Sequence, residues 1–315
     1  MASFDPDLTS PPPLAALLAS WPAAARSRLE ALIKQHAHQG AFAIFDADNT
    51  SYQHDLLGAL LPFMENKGML TRATMAPSLA VIPFEDLPGR PETLHRYYQR
   101  LCDLDDQISY PWASQIFAGF SLRELKSQLD DLLSNSQPIP VQSLVAGELR
   151  DALVERPRLL PGQQALYQAL MAHGIEVYVV SAASEELVRM VLADPRYGYG
   201  VKPQNVIGVS LLLKDRQTGQ VTTARKLISE GRYQPADLLD HELTSTLWGA
   251  PALVRRQAGR DPHLCASLEA PDFGGRRHAG QRRADVVSQC PCGAGRFALV
   301  CCAYAAAFAK YGGLA

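Results

Sequence analysis

A short apolar run that ends in two carboxylates constrains this chain more than any other feature. Residues 40–47, GAFAIFDA, have the glycine start, the continuous apolar stretch and the charged end of a buried strand. Asp46 and Asp48 stand one residue apart where that strand should leave the core. Ligands of parallel α/β sheets bind beyond the carboxyl ends of the strands, so the pair indicates a ligand site. The alternative is that the two aspartates simply cap a turn, where Asp is favoured.

The patterns along the rest of the chain predict an α/β fold with a parallel sheet. Strand-like and helix-like segments alternate, and a long, mostly helical stretch separates the first strand from the second. Gly174 should end one helix, and Ser184 should begin another as its N-cap. The predicted elements are helices at 22–38, 162–173 and after 184, helical pieces between about 54 and 134, strands at 40–47, 175–182 and 205–213, and a hairpin at 214–223.

The alternation also predicts how the chain divides. A core with a parallel sheet should be built from two separate segments, with a helical cap inserted after the first strand. A Pro-rich lead-in precedes the core, and a tail without periodicity follows it. The predicted ranges are 1–21 for the lead-in, 22–53 and 161–249 for the core, 54–160 for the helical cap and 250–315 for the tail.

The net charge and the lengths of the apolar runs indicate which classes of binding partner are not expected. The chain of 315 residues has a formal net charge of −2, which gives no electrostatic reason to expect nucleic acid or a membrane surface as a partner. No apolar run reaches the roughly 18 residues of a spanning helix. The early stretch PPPLAALLAS lacks a basic start and is too broken for a signal peptide, so the sequence as written is expected to be cytoplasmic. No protein partner is predicted.

Two aspartates at one strand end can divide a phosphoryl transfer between them. Asp46 can attack phosphorus and form an acyl phosphate. Asp48 can protonate the leaving alkoxide and then activate water. A bound Mg²⁺, held in part by Asp46 and Asp48, would mask their repulsion and stabilise the transferring group.

The wider segment FDADNT resembles the D-x-D-x-T motif of the haloacid dehalogenase superfamily of phosphatases. The resemblance implies that Asp46 is the nucleophile, Asp48 the general acid and base, and Thr50 a support of the loop. Ser181, in VVSAAS at the end of the second predicted strand, resembles the Ser or Thr of the second motif, which hydrogen-bonds the phosphate. On its own, Ser181 would be read as an ordinary loop serine.

Longer stretches are similar to one family of these enzymes. FDADNTSYQHDLLGALLPFMENKGMLTR and GIEVYVVSAASEELVRMVLADPRYGYGVKPQNVIGV resemble the bacterial phosphorylcholine phosphatases, and the likeness runs from about residue 20 to about 249. It implies a Mg²⁺-dependent phosphomonoesterase that acts on phosphorylcholine, a small-molecule phosphate ester, with a haloacid-dehalogenase-like core and a helical cap. Such enzymes are often exported to the periplasm, which would require an export signal lost from the start. The alternatives are a phosphatase of another small ester, such as phosphoserine, and a non-catalytic choline-binding protein.

A trimethylammonium group cannot donate a hydrogen bond and is best held by aromatic faces. The predicted cap contains Tyr97, Tyr98, Tyr110 and Trp112 close together in sequence. Core packing is the competing explanation for each of them. We expect some members of this set to line a cage for the substrate's ammonium group.

The sequence after residue 249 departs from the family. The resemblance calls for a lysine that neutralises the phosphate and for a GDTxxSD-like loop that completes the Mg²⁺ site, and neither follows. Read one nucleotide out of frame with GC-rich codons, LVRRQAGRDPHL can become WYAGKQAAIRTY, and GGRRHAGQRRADVV can become VAGDTPASDGPMLF. We infer a frame shift near residues 249–253, which also makes five of the six cysteines accidental. The end of the core is then expected to be missing, the tail poorly ordered and the activity low. Lys226 is the in-frame lysine that could replace the missing one.

Overall fold

The computed structural model describes residues 13–145, 148–248 and 298–301. In chain order the helices of these residues are α1 Leu14–Leu17, α2 Ala23–His36, α3 Leu56–Asn66, α4 Leu94–Leu104, α5 Asp106–Gln115, α6 Leu122–Ser134, α7 Pro161–Ala172, α8 Glu185–Leu192 and α9 Ala224–Ser229. The strands are β1 Phe42–Phe45, β2 Tyr52–Gln53, β3 Ile139–Val145, β4 Glu148–Val154, β5 Arg158–Leu159, β6 Glu176–Ser184, β7 Val206–Val209, β8 Leu211–Asp215, β9 Val221–Thr222, β10 His241–Leu247 and β11 Ala298–Cys301.

A parallel sheet with the strand order β11-β1-β6-β7 forms the centre of the fold. All four residues of β1 are buried, which is what a strand covered on both faces requires of its side chains. Phe45 of β1 pairs with Val179 of β6, so the two strands end at the same edge of the sheet. The α/β class with a parallel sheet, predicted from the sequence, is confirmed.

Helices α7 and α8 flank β6 and connect the strands of the sheet. Pro161 is the first residue of α7, where a missing N–H costs nothing. The helix ends before Gly174, whose φ of +69° is the left-handed conformation that glycine adopts easily. The helix boundary predicted at Gly174 is therefore correct.

The segment between β2 and β5 contains four described helices, α3 to α6, and one feature that the sequence did not predict. Strands β3 and β4 pair antiparallel, with Ile139 opposite Val154 and Val145 opposite Glu148. These strands lie in the segment assigned to the helical cap, after the helical pieces predicted up to about residue 134. IPVQSLV mixes apolar and polar residues in a way that satisfies a half-exposed strand as well as a loop.

A smaller antiparallel sheet, β10-β8-β9, joins the inserted helices to the rest of the fold. The single strand predicted at 205–213 is in fact divided at Ser210: β7 belongs to the parallel sheet and β8 to the antiparallel one. Between α5 and α6, the Gly119 N–H donates to the Leu243 carbonyl at 2.8 Å, and the Leu243 N–H donates to the Phe120 carbonyl at 3.0 Å. These backbone bonds fasten the insert to β10.

Strand β11 corrects another expectation. Ala298 to Cys301 pair in parallel with Phe42 to Phe45, so a stretch of the tail occupies the position beside β1. The expectation that no further core strand follows residue 249 is wrong for these four residues, because a short apolar run can supply the backbone bonds that the open edge of β1 needs. The proposed frame shift and the missing motifs lie outside the described residues.

Across the described ranges, no helix combines the length and the apolar character needed to cross a bilayer.

Candidate active site

The loop after β1 is a tight turn that fixes Asp46 and Asp48 on one short arc. The Ala47 carbonyl accepts hydrogen bonds from Thr50 N at 3.3 Å and Ser51 N at 2.8 Å. Asn49 has a φ of +55°, a conformation that Asn tolerates better than most residues. The turn places both carboxylates beyond the carboxyl end of β1, as the sequence predicted.

Asp48 is held at the start of α3. Its Oδ1 accepts a hydrogen bond from the Leu56 N–H at 2.8 Å. Asp55 caps the same helix, and its Oδ1 accepts from the Gly58 N–H at 2.6 Å. Burial, and then the charge of Asp55, raise the pKa of Asp48 well above its ordinary value, while the Leu56 N–H acts in the opposite direction.

Asp46 is the more open of the two aspartates. Its side chain reaches solvent, and its Oδ1 accepts from the Ala47 N–H at 2.7 Å. The surrounding protein raises the pKa of Asp46, the Ala47 N–H lowers it, and the nearby Asp55 raises it further. The upward shift is larger for Asp48, so the two carboxyl groups are suited to different protonation states.

The turn is braced from behind by three hydroxyl groups that the sequence analysis did not identify. The Ser51 hydroxyl donates to the Asp46 carbonyl at 2.7 Å and lies 2.6 Å from the Tyr167 hydroxyl. The Tyr199 hydroxyl donates to the Ser51 carbonyl at 2.6 Å. Each of these side chains is fully buried. Their spacing in sequence, from 51 to 199, leaves no local pattern that would have revealed the network.

Thr50 belongs to the same turn. It is buried, and its carbonyl accepts from the Gln163 side chain of α7 at 2.9 Å. This contact is consistent with the supporting role that the sequence resemblance implies for Thr50, through its backbone.

Ser181 lies on the neighbouring strand at the same edge of the sheet. Because Phe45 pairs with Val179, Asp46 lies one residue beyond that pair and Ser181 two residues beyond it. Ser181 is buried, and its Oγ accepts a hydrogen bond from the Ala183 N–H at 3.1 Å. Ser184 stands at the N-cap position of α8, as predicted, but its hydroxyl makes no capping bond.

Two of the four aromatic residues predicted for a cage are buried and hydrogen-bonded to backbone groups of the insert. The Tyr97 hydroxyl donates to the Ile82 carbonyl at 2.9 Å and accepts from the Ile82 N–H at 2.8 Å. Trp112 Nε1 donates to the Leu79 carbonyl at 2.8 Å. Both side chains are essentially fully buried, so these two residues shape the insert from within.

Tyr98 is buried and Tyr110 is half-buried, and the charge of Asp55 affects the pKa of both. The Tyr98 ring stacks on Trp112, with centroids 5.9 Å apart and an interplanar angle of 9°. Burial, and then the charge of Asp55, raise the pKa of Tyr98. Burial and Asp106, with a smaller contribution from Asp55, raise the pKa of Tyr110 to about 12. Both phenols therefore lie within the electrostatic range of Asp55, the N-cap residue of α3.

The described residues fit only part of a Mg²⁺ site. Carboxylate oxygens are suitable ligands, and Asp46 and Asp48 offer them. No group of three or more His, Cys, Asp or Glu side chains that could hold a metal forms within residues 13–145 and 148–248. Asp46 and Asp48 would therefore need further ligands from water, substrate or another part of the chain.

Two of the lysines that precede residue 249, Lys202 and Lys226, do not supply the missing charge at the described site. Lys202 pairs with Glu176 at 3.6 Å, and Glu176 is the first residue of β6, at the end opposite Ser181. Lys226 is exposed on the short helix α9. The structure gives Lys226 no contact with the Asp46 loop.

Comparison with known proteins gives one strong match. The chain is 55% identical over 231 residues to the phosphorylcholine phosphatase of Pseudomonas aeruginosa, in an alignment that covers 73% of this chain and 66% of the relative. The match therefore spans slightly less than two thirds of that protein's length. No family model matches the chain.

A solved structure of a conserved protein of unknown function from Anaerococcus prevotii is 18% identical, covers 64% of this chain and 71% of its own, and has a TM-score of 0.45. A likeness of that degree supports no conclusion about fold or function. The relative at 55% identity is a much stronger match, and this chain is similar to that phosphorylcholine phosphatase over 73% of its own length.

Proposed function

We propose that this chain carries the active site of a haloacid-dehalogenase-type phosphomonoesterase that hydrolyses phosphorylcholine to choline and phosphate. The observation that supports the proposal most directly is the pair of aspartates beyond β1, held one residue apart in unequal surroundings. The 55% identity to a phosphorylcholine phosphatase supports the choice of substrate.

In the proposed reaction, a carboxylate oxygen of Asp46 attacks phosphorus and the bond from phosphorus to the choline oxygen breaks. Asp48, which keeps its proton to higher pH than Asp46, donates that proton to the departing oxygen. An aspartyl phosphate and free choline result. Asp48 then takes a proton from water, which attacks phosphorus and releases phosphate, and Asp46 regains its carboxylate.

Ser181 is proposed to hold the phosphate. Its Oγ accepts the Ala183 N–H, so its own hydroxyl hydrogen is available to donate to a phosphate oxygen. Asp46 and Ser181 leave neighbouring parallel strands, which is where ligands of such sheets bind.

We propose Mg²⁺ as the cofactor, with Asp46 and Asp48 as its protein ligands within the described chain. When bound, the ion would offset the repulsion between these carboxylates and the substrate phosphate. The remaining ligands and the neutralising lysine belong, by resemblance, to the sequence lost after residue 249.

The choline end of the substrate is proposed to lie at Tyr98 and Tyr110. Aromatic faces attract a quaternary ammonium group, and the nearby carboxylate of Asp55 adds a favourable field. This arrangement favours phosphorylcholine over an uncharged ester or over phosphoserine, whose ammonium group prefers hydrogen-bond acceptors.

The test is a phosphorylcholine hydrolysis assay with Mg²⁺ on two proteins, this chain and the product of the gene with its reading frame restored near codon 250. We expect hydrolysis with a turnover of about 1–10³ per second from the restored protein and little from this chain. A restored protein without activity would contradict the proposal.

A non-catalytic choline-binding role is the second candidate, because the inserted helices α3 to α6 are formed while the sequence after residue 249 lacks the lysine and the metal loop. Calorimetry with choline would support this candidate if this chain binds choline and neither protein hydrolyses the ester.

A further inference from the structure

Glu185 is a buried carboxylate that the proposed chemistry does not use. It is the first residue of α8 and is 1% exposed. Its Oε2 accepts from the Gly208 N–H at 3.0 Å, and its Oε1 pairs with Arg225 Nε at 2.8 Å and with the guanidinium of Arg189. Three separate donors therefore bind one carboxylate, which follows directly after β6, the strand that carries Ser181.

Gly208 explains why this carboxylate can reach the backbone of β7. A Cβ atom on Gly208 would lie 2.7 Å from the Ala183 carbonyl oxygen and 2.9 Å from the Glu185 nitrogen. Since real Cβ atoms do not approach backbone atoms so closely, β7 can pack against residues 183–185 only with glycine at this position.

The same contact coincides with an irregularity in the sheet. The β6–β7 register is regular up to Val180 and shifts before Ser184. Residues 181–183 therefore leave the regular ladder, and the Ala183 N–H turns to the Ser181 Oγ instead. A bulge of this kind re-aims side chains and needs support from outside the ladder.

The two arginines supply that support from two further elements. Arg225 of α9 also donates to the Gln204 carbonyl at 2.9 Å and to the Val206 carbonyl. Arg189 of α8 donates to the Pro203 carbonyl at 3.0 Å. The backbone before β7, the start of α8 and α9 are thereby tied together through Glu185.

We propose that Glu185 is a positioning residue that holds the bulge at residues 181–184 in the shape that presents the Ser181 hydroxyl to the phosphate group of the substrate. The functional part of this inference rests on the proposed function, since it takes Ser181 as the phosphate contact. The structural part concerns the bulge alone and is testable without catalysis.

The direct test is Glu185→Gln in the full chain. The amide has nearly the same shape, but its NH₂ group must face a donor, either Gly208 N–H or an arginine, and one bond is lost. We expect backbone hydrogen exchange in residues 181–185, measured by mass spectrometry, to accelerate at least about tenfold. Phosphorylcholine affinity, measured by calorimetry, should weaken about tenfold, the equivalent of one charged hydrogen bond.

Glu186→Gln is the matched control. Glu186 is the next residue on α8, is equally buried and pairs with Arg189 at 2.7 Å, but it makes no bond to Gly208. It should lower the melting temperature to a similar degree and leave exchange at residues 181–185 as in the wild type.

Gly208→Ala tests the same contact from the other strand. Its methyl group must displace residues 183–185, so exchange there should accelerate, whereas Gly162→Ala, with its nearest neighbour at 3.5 Å, should have no such effect. Unchanged exchange in both Glu185→Gln and Gly208→Ala would overturn the inference. Faster exchange with unchanged phosphorylcholine affinity would overturn the positioning role. A wild-type chain that binds no phosphorylcholine would contradict the proposed function and, with it, the proposed role of Glu185 in the reaction.

Discussion

The Asp48 carboxylate accepts a hydrogen bond from the Leu56 N–H at 2.8 Å, and this contact joins the loop after β1 to the first turn of α3. The core strand that delivers the aspartates is thereby coupled directly to the first helix of the insert. A helix N-terminus stabilises a nearby carboxylate, while the burial of Asp48 disfavours its charge. Burial has the larger effect, so the pKa of Asp48 is still raised.

In the frame-restored protein, substitution of the two aspartates by asparagine should affect the hydrolysis of phosphorylcholine differently. We expect Asp46→Asn to abolish hydrolysis of phosphorylcholine, because it removes the attacking oxygen. Asp48→Asn should lower kcat by about 10²–10⁴ without a matching rise in KM, since it removes proton transfer. Asp103→Asn, an exposed change on α4, is the control. Equal effects of Asp46→Asn and Asp48→Asn on both constants would argue against separate roles.

Tyr98 should distinguish cationic from uncharged substrates. We expect Tyr98→Leu to weaken phosphorylcholine binding by about two- to thirtyfold, the range of a cation–π contact, and to leave the binding of glycerol phosphate nearly unchanged. Tyr98→Phe keeps the ring and should bind phosphorylcholine almost as the wild type does. Equal losses for both esters in calorimetry would mean that Tyr98 only supports the packing of the insert.

Tyr97 should matter for stability and not for substrate choice. Its hydroxyl makes two hydrogen bonds to Ile82, and Tyr97→Phe removes the partner of these half-buried backbone groups. We expect the free energy of unfolding in urea to fall by about 1–3 kcal/mol. Tyr178→Phe, whose half-buried hydroxyl binds Glu176 at 3.0 Å, should cost less because water can replace that bond. A loss for Tyr97→Phe no larger than for Tyr178→Phe would contradict this role.

His95 should make the fold sensitive to mild acid. It is 6% exposed at the start of α4, neither ring nitrogen has a partner among the described residues, and burial lowers its pKa to about 4. Between its unfolded pKa near 6.5 and this value, the unfolded chain binds a proton that the folded chain does not, so stability falls as the pH falls through that window.

We therefore expect the wild type to lose about 2 kcal/mol more than His95→Leu when the pH drops from 7.5 to 5. Urea unfolding at both pH values measures the difference. Parallel losses in the two proteins would show that His95 is not the group responsible.

The sequence was sufficient where a local pattern determines the structure. The apolar run of β1, the Gly174 helix end and the aspartate pair were all visible because strand burial, backbone conformation and charge placement each leave a short signature. Asp46 and Asp48 could be assigned chemistry for the same reason, since their spacing and their position after a buried strand carry the information.

The remainder depends on contacts between residues that are distant in sequence. Tyr97 and Tyr98 are neighbours of the same type, and only the packing of α4 decides that the hydroxyl of one binds Ile82 while the ring of the other stacks on Trp112. The hydroxyls of Ser51, Tyr167 and Tyr199 come from three elements and meet only in the folded chain. The pairing of β3 with β4 was missed because their mixed residues fit several local structures equally well.

The position of β1 between β6 and β11 has a consequence for the order of folding. Phe42 pairs with Glu176 on one side and with Ala298 on the other, and both partners are synthesised long after it. Contacts so distant in sequence are slow to form. During synthesis both edges of β1 are unpaired until β6 has been made, and one edge stays unpaired until β11 has been made. Unpaired strand edges can pair with other nascent chains. The strand that delivers the aspartates is therefore also a segment that stays open to pairing with other chains until its partners have been synthesised.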